Sequence, residues 1–121
     1  MSAACLMAGA LMLALPADGR FQLSWTHSVE RVEWREDWRV VPGGLALERA
    51  SVRGSGAGME PGPDAKLQAG WLVWQPAMKP VSSLALAASG MTASGWRLCA
   101  GGTCTNLGET AGAPLVLRPC A

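Results

Sequence analysis

The sequence FQLSWTHSVERVEWREDWRVV, residues 21 to 41, decides the fold class. Apolar and polar side chains alternate along both of its halves, and this period of two is typical of β-strands with one buried face. One apolar face carries Phe21, Leu23, Trp25, His27 and Val29, and the other carries Trp34, Glu36, Trp38 and Val40. Each face therefore holds one ionisable side chain where hydrocarbon would pack best, and such conflicts concentrate at functional sites.

A hairpin that turns at residues 31 and 32 would place His27 opposite Glu36. The same register would place Trp25 opposite Trp38. A buried carboxylate is costly unless it is paired, so an imidazole across the strand would satisfy it. Two interpretations of this pair stay open. It either fixes the strand register in a tryptophan-lined core, or binds a polar group of a ligand between tryptophan walls.

Short alternating segments separated by glycine and proline continue along the chain and predict strands nearly throughout. They are 21–30, 33–41, 45–53, 67–75, 83–88, 95–100, 103–107 and 114–118. Many short strands with regular breaks are typical of an all-β domain, here a small antiparallel β-sandwich or a barrel-like domain. We expect a single β domain over residues 18–121.

Residues 1–17, MSAACLMAGALMLALPA, contain no charged side chain. The apolar run is shorter than the about 20 residues of a membrane-spanning helix. It predicts a secretory signal peptide that ends near Ala17, with an uncleaved N-terminal anchor as the alternative. Cys5 is interpreted as a small apolar residue of that segment. The expected location is periplasmic or otherwise exported, with contact to a membrane only through an uncleaved N-terminus.

The segment WRLCAGGTCTNL, residues 96 to 107, predicts a β-hairpin. Its Gly101-Gly102 pair supplies the two positive-φ positions of a two-residue turn. Cys99 and Cys104 then face each other at a distance that suits a disulfide, and an exported compartment would let the bond persist. Cys120 is left over, either free or able to exchange into a bond with a hairpin cysteine.

Several functional classes are disfavoured by composition. The net charge of +1 and the alternation of arginines with carboxylates argue against nucleic-acid binding. With one histidine and no assembled triad, we predict no catalytic residues, no enzyme activity and no cofactor. A metal site of His27, Glu30 and Glu36 would be weakly selective, so no metal is predicted either.

A glycine-rich stretch follows the third predicted strand. It contains Gly54, Ser55, Gly56, Gly58 and Met59. The spacing departs from a dinucleotide-binding fingerprint because a methionine takes the place of the third glycine, and two prolines follow instead of a helix. Two interpretations remain, an ordered surface loop that needs positive φ and a backbone site for an anion.

Five blocks of this sequence resemble a bacterial family, the domain of unknown function 1850. They are WTHSVE at 25–30, EDW at 36–38, GSGAGM at 54–59, GW at 70–71 and WRLC at 96–99. The resemblance covers about residues 21 to 107. It implies a small exported protein without an established activity. Such proteins are often encoded beside tripartite ATP-independent periplasmic (TRAP) transporters that use solute-binding proteins of the TAXI type.

We therefore expect an exported, non-enzymatic accessory protein of a TRAP transporter. Its partner would be the transporter permease or the TAXI solute-binding protein. The residues predicted to contact a ligand or partner are His27, Glu30, Glu36, Trp25, Trp38, Gly54, Ser55, Gly56, Gly58 and Met59. The alternative is a structural or envelope interaction domain without a small-molecule site. A metal-dependent hydrolase is the third possibility.

Overall fold

A computed structural model describes residues 4–26, 32–53, 65–86, 95–108 and 112–120. The eleven strands are β1 (Cys5–Ala8), β2 (Leu11–Ala14), β3 (Arg20–Thr26), β4 (Glu33–Val41), β5 (Gly44–Arg53), β6 (Lys66–Gln68), β7 (Trp71–Trp74), β8 (Leu84–Leu86), β9 (Trp96–Ala100), β10 (Thr103–Leu107) and β11 (Leu115–Pro119). They form two antiparallel sheets packed face to face, which confirms the predicted all-β sandwich. None of the described residues belongs to a helix long and apolar enough to cross a membrane.

The larger sheet has seven strands in the order β10-β9-β3-β4-β5-β7-β6. Its centre is the pair predicted from alternation, β3 and β4, and β5 pairs along the whole of β4 except at an irregularity between Asp37 and Trp38. The side chains alternate between the two faces, as strand geometry requires. The face that carries Phe21, Leu23 and Trp38 turns inward, and we call it the inner face; the opposite side is the outer face.

The smaller sheet has four strands in the order β2-β1-β11-β8 and covers the part of the inner face that holds Phe21, Leu23 and Trp38. The core between the sheets is made of leucines with a few other apolar side chains: Leu6, Ala8, Leu15, Phe21, Leu23, Trp38, Leu45, Leu86, Leu98, Leu107 and Leu117. Its members come from both ends of the chain, so the hydrophobic effect holds the two sheets together as one unit.

The observed register of β3 against β4 differs from the predicted one. Trp25 lies opposite Trp34, and Glu36 lies opposite Leu23 instead of His27. The last pair is Thr26 with Glu33, so the chain connects the strands through residues 27 to 32 rather than a two-residue turn. A longer connection is reasonable because this segment lacks the glycine or asparagine that a tight hairpin prefers. The predicted cross-strand pairing of Glu36 with a histidine is therefore wrong.

The predicted strand at 67–75 is a second correction. It is a hairpin of β6 and β7, which turns at Ala69 and Gly70. Both turn residues have positive φ, +49° and +86°. Alanine carries no sequence signal for that conformation, which explains why a single strand was expected.

The segment predicted to be a signal peptide or anchor forms β1 and β2. The two strands pair as a hairpin around Gly9, whose φ is +61°. Removal or retention of residues 1–17 is untested and stays a prediction. The expectation for the cysteines needs correction, because Cys5 forms a disulfide with Cys120. Cys120 is thus neither free nor exchanged into the hairpin.

The second disulfide joins Cys99 to Cys104, as predicted. The two cysteines are direct cross-strand partners, and the turn glycines, Gly101 and Gly102, have φ of +57° and +84°. All four cysteines are therefore bonded. Two disulfides indicate an oxidising, exported environment, since cytosolic reductants keep most thiols reduced.

Candidate functional site

Four half-buried tryptophans meet at one end of the larger sheet. We call Trp25, Trp34, Trp74 and Trp96 the tryptophan cluster. Trp25 stacks on Trp34 with ring centroids 6.1 Å apart, and it contacts Trp96 at 4.8 Å. Trp74 meets Trp34 edge to face at 6.1 Å. The rings thus come from four strands, β9, β3, β4 and β7, and the cluster spans five, because β5 lies between β4 and β7.

The strand registers explain why these rings share a face. Trp25 and Trp34 are direct cross-strand partners, and Trp34 pairs on its other side with Val52, which is fully buried. Trp74 pairs with Ala50, two positions along β5. Only Trp25 and Trp96 pack against the hydrophobic core. The Trp34–Trp74 half therefore extends beyond that core.

Glu36 is the ionisable residue of the inner face. It lies two residues from Trp34 and two from Trp38 on β4, and its Oε1 accepts a hydrogen bond of 3.0 Å from Trp38 Nε1. Burial raises the pKa of the Glu36 carboxyl above its ordinary value, and the indole hydrogen bond offsets part of that rise. Among the described residues, no cation forms an ion pair with it. A buried carboxyl with a raised pKa is a common feature of binding sites.

Trp34 contributes a second unusual polar group. Its Nε1 is buried and has no hydrogen-bond partner within the described part of the chain. A buried donor without an acceptor is costly, by about 1–3 kcal/mol. Glu36 and Trp34, at neighbouring inward positions of β4, thus place a buried carboxyl with a raised pKa beside an indole N–H that has no acceptor among the described residues.

The outer face is different in character, because its charges pair with one another. Asp37 accepts hydrogen bonds from Gln22 at 3.0 Å and from Arg49 at 3.1 Å. Glu48 accepts a hydrogen bond of 3.1 Å from Arg20. These side chains line an open groove of about 530 Å³. The alternation of arginines with carboxylates in the sequence thus becomes a set of ion pairs on this face.

Arginines also frame a fifth tryptophan on the outer face. The Arg35 guanidinium lies 3.9 Å from the ring centroid of Trp71, and that of Arg53 lies 5.3 Å away. Arg35 also lies 3.5 Å from a carboxylate oxygen of Glu33. A ligand that stacked on Trp71 would have to compete with these cations. On the opposite face, Trp25, Trp34 and Trp74 have no such cation contact among the described residues.

The structure brings together part of the predicted site. Trp25 and Glu36 lie on the inner face, as predicted from alternation. Trp38 lies in the core with 2% of its surface exposed and donates a hydrogen bond to Glu36, and its predicted contact with a ligand stays a prediction. The remaining predicted contact residues lie outside the described residues: His27, Glu30, Gly54, Ser55, Gly56, Gly58 and Met59.

Sequence reasoning missed the contribution of Trp74 and placed no role on the ring of Trp96. Alternation along their strands indicates that both side chains face inward, but it does not show that they lie near Trp25 and Trp34, which depends on the strand order. β3 ends at Thr26 and β5 ends at Arg53, and both strand ends lie at the end of the sheet that carries the cluster.

No group of three or more histidine, cysteine, aspartate or glutamate side chains that would hold a metal ion occurs among the described residues.

These features define a class, the small disulfide-bonded β-sandwich domain with an aromatic surface at one end of its larger sheet. The chain belongs to the family described as domain of unknown function DUF1850, whose model matches residues 21–107. The match runs from β3 to β10, and it confirms the family resemblance. Neither the curated proteins nor the solved structures contain a match to the chain.

Proposed function

We propose that this protein is a periplasmic, non-enzymatic accessory component of a TRAP-type solute transporter of the TAXI class. It binds the solute-binding protein or the permease through the tryptophan cluster and the adjoining Glu36. The observation that carries the proposal is the cluster itself, four half-buried indoles on one face. Tryptophan is enriched at protein interfaces because it combines a large apolar surface with a hydrogen-bond donor.

The polar groups at the cluster support a binding role. A purely structural core would be more stable with hydrocarbon in place of a desolvated carboxyl and an unsatisfied indole N–H. Glu36 and the Trp34 Nε1 are such groups, and they lie next to the half-buried rings. A bound partner supplies acceptors and donors that the described part of the chain lacks. The association with a transporter rests on the family context that the sequence resemblance implies.

The second candidate is an envelope interaction domain with no transporter partner and no small-molecule site. In that case Glu36 serves the fold alone, through its hydrogen bond with Trp38. The paired charges of the outer face favour this function, because a face whose carboxylates and arginines bind one another offers little to a small polar ligand. The two candidates share the surface and differ in the partner.

Co-purification tests the proposal. The protein would carry a C-terminal affinity tag and be produced together with a TRAP permease and a TAXI solute-binding protein from the same organism. We expect both the wild type and Trp71→Ala to retain the transporter component, and Trp74→Ala to lose it. The two variants are matched, because Trp71 and Trp74 are half-buried residues of the same strand on opposite faces.

Melting temperatures of the two variants make the comparison interpretable. Similar melting temperatures with selective loss of binding in Trp74→Ala would support the cluster as the contact surface. If the wild-type protein retained neither transporter component, the transporter assignment would be wrong. If Trp71→Ala lost binding and Trp74→Ala kept it, the contact surface would be the outer face instead.

A further inference from the structure

The N-terminal hairpin, residues 5–14, occupies a central position in the smaller sheet. β1 lies between β2 and β11, and its register with β11 runs from Leu6–Pro119 to Ala8–Leu117. Leu6 is fully buried and Ala8 is 3% exposed. Both belong to the same core cluster as Leu23 of the larger sheet. This segment therefore forms part of the second layer of the sandwich.

Covalent and hydrogen bonds fasten the hairpin to the rest of the domain. Cys5 is joined to Cys120 by a disulfide, and the Cys120 amide donates a hydrogen bond of 3.1 Å to the Cys5 carbonyl. The Gly9 amide donates to the Val116 carbonyl at 2.9 Å. The two ends of the described chain are thus clasped together at one strand pair.

Loss of residues 1–17 would remove two of the four strands of the smaller sheet. β11 would keep only β8 as a neighbour. Leu23 and Leu117, which are fully buried, would lose Leu6 and Ala8 from their shared core. Cys120 would lose its disulfide partner. The remaining pair of β8 and β11 would cover less of the core, and two strands contribute little stability by themselves.

We propose that residues 4–16 are a permanent structural part of the mature protein, clasped to its C-terminus by the Cys5–Cys120 disulfide, and are not removed after export. The proposal is the alternative to the cleaved signal predicted from the uncharged sequence. An uncharged apolar run serves a buried hairpin as well as a signal, because both need hydrophobic side chains. This inference does not depend on the proposed function.

Two leucines of the hairpin separate these alternatives. Leu6 is 0% exposed, whereas Leu11 is 49% exposed. In an apolar signal segment the two leucines would be equivalent, whereas in a folded hairpin only the buried one contributes to stability. In the purified full chain we expect Leu6→Ala to lower the melting temperature by roughly 10–20 °C and Leu11→Ala by less than about 4 °C. Equal, small shifts for both variants would overturn the proposal.

A truncated chain and a covalent map complete the test. A chain that starts at Asp18 should show no cooperative unfolding after oxidative refolding, while the full chain refolded in parallel should show it. For the full chain recovered from the cell envelope, digestion without reductant should yield a Cys5 peptide linked to a Cys120 peptide. A mature N-terminus near residue 18, or a truncated chain as stable as the full one, would contradict the proposal.

Discussion

The buried carboxyl of Glu36 gives the most detailed prediction. Its folded-state pKa is raised above the ordinary value of 4.5, with desolvation as the main cause. The folded protein therefore holds this proton more tightly than the unfolded chain does. Stability from this group is fully present below the unfolded pKa and is lost as the pH rises through the folded pKa. Glu36→Gln removes the titration, so the variant should be free of that loss.

The magnitude follows from linkage. The relevant quantity is the free energy of unfolding of Glu36→Gln minus that of the wild type. For each unit by which folding raises the pKa of Glu36, this difference is about 1.4 kcal/mol larger at high pH than at low pH. The glutamine oxygen can still accept the hydrogen bond from Trp38 Nε1. The preference of this hydrogen bond for the carboxylate is already part of the folded-state pKa, since it offsets some of the rise caused by burial. Glu36→Leu would orphan the indole and cost about 1–3 kcal/mol.

The assay is denaturant unfolding of the wild type and Glu36→Gln between about pH 4 and pH 8, with the free energy of unfolding compared at each pH. Glu33→Gln is the matched control, because Glu33 lies on the same strand and its side chain is 43% exposed. We expect the control to follow the wild type within about 0.5 kcal/mol. Parallel profiles for the wild type and Glu36→Gln would refute the reasoning. If Glu36→Gln became less stable than the wild type as the pH rose, Glu36 would instead be an ionised carboxylate with a favourable partner.

Two further comparisons test the fold. Replacing Cys5 and Cys120 with serine should lower the free energy of unfolding by about 5 kcal/mol, and replacing the hairpin cysteines by about 2 kcal/mol. The bonds differ because their sequence separations are 115 and 5, so they close loops of different length in the unfolded chain. Denaturant unfolding measures both losses, and equal losses would contradict this loop-entropy argument. Gly44→Ala should cost about 2–4 kcal/mol because a Cβ there would collide with the Val81 carbonyl. Gly43→Ala, with positive φ but nothing within 4 Å, should cost only about 1 kcal/mol, and a larger loss there than at Gly44 would contradict the close approach.

Alternation predicted which face each residue of β3 and β4 occupies, but it did not predict how the strands pair. The predicted and observed registers place Trp25 opposite Trp38 and Trp34, respectively. These positions differ by an even number of residues, so both registers keep the same side chains inward. The choice between them depends on the connection from 27 to 32, where no turn residue fixes the geometry.

The cysteines show the same contrast between local and distant information. The Cys99–Cys104 bond followed from the glycine pair between them, which is a local signal. The Cys5–Cys120 bond joins strands that are adjacent only in the finished sheet. Pairing at such separation depends on tertiary packing, which the spacing of residues does not encode.

The candidate site was predictable to a similar extent. Trp25 and Glu36 were assigned to the inner face because parity is a local property. The neighbourhood of Trp74 and Trp34 depends on strand order, since β7 reaches β4 only through β5. A tryptophan surface assembled from four strands therefore became visible only in the folded sheet.

Hydroxyl-radical footprinting of the protein alone and with an excess of a TAXI solute-binding protein from the same organism tests the central claim most directly. Oxidation of each tryptophan would be followed by mass spectrometry of its peptide. We predict that Trp74 and Trp96 become protected on binding and that Trp71 on the outer face does not. Trp38, at 2% exposure, should stay nearly unreactive in both states. Protection of Trp71 without protection of Trp74 and Trp96, or no protection at any tryptophan, would contradict the claim that the tryptophan cluster is the contact surface.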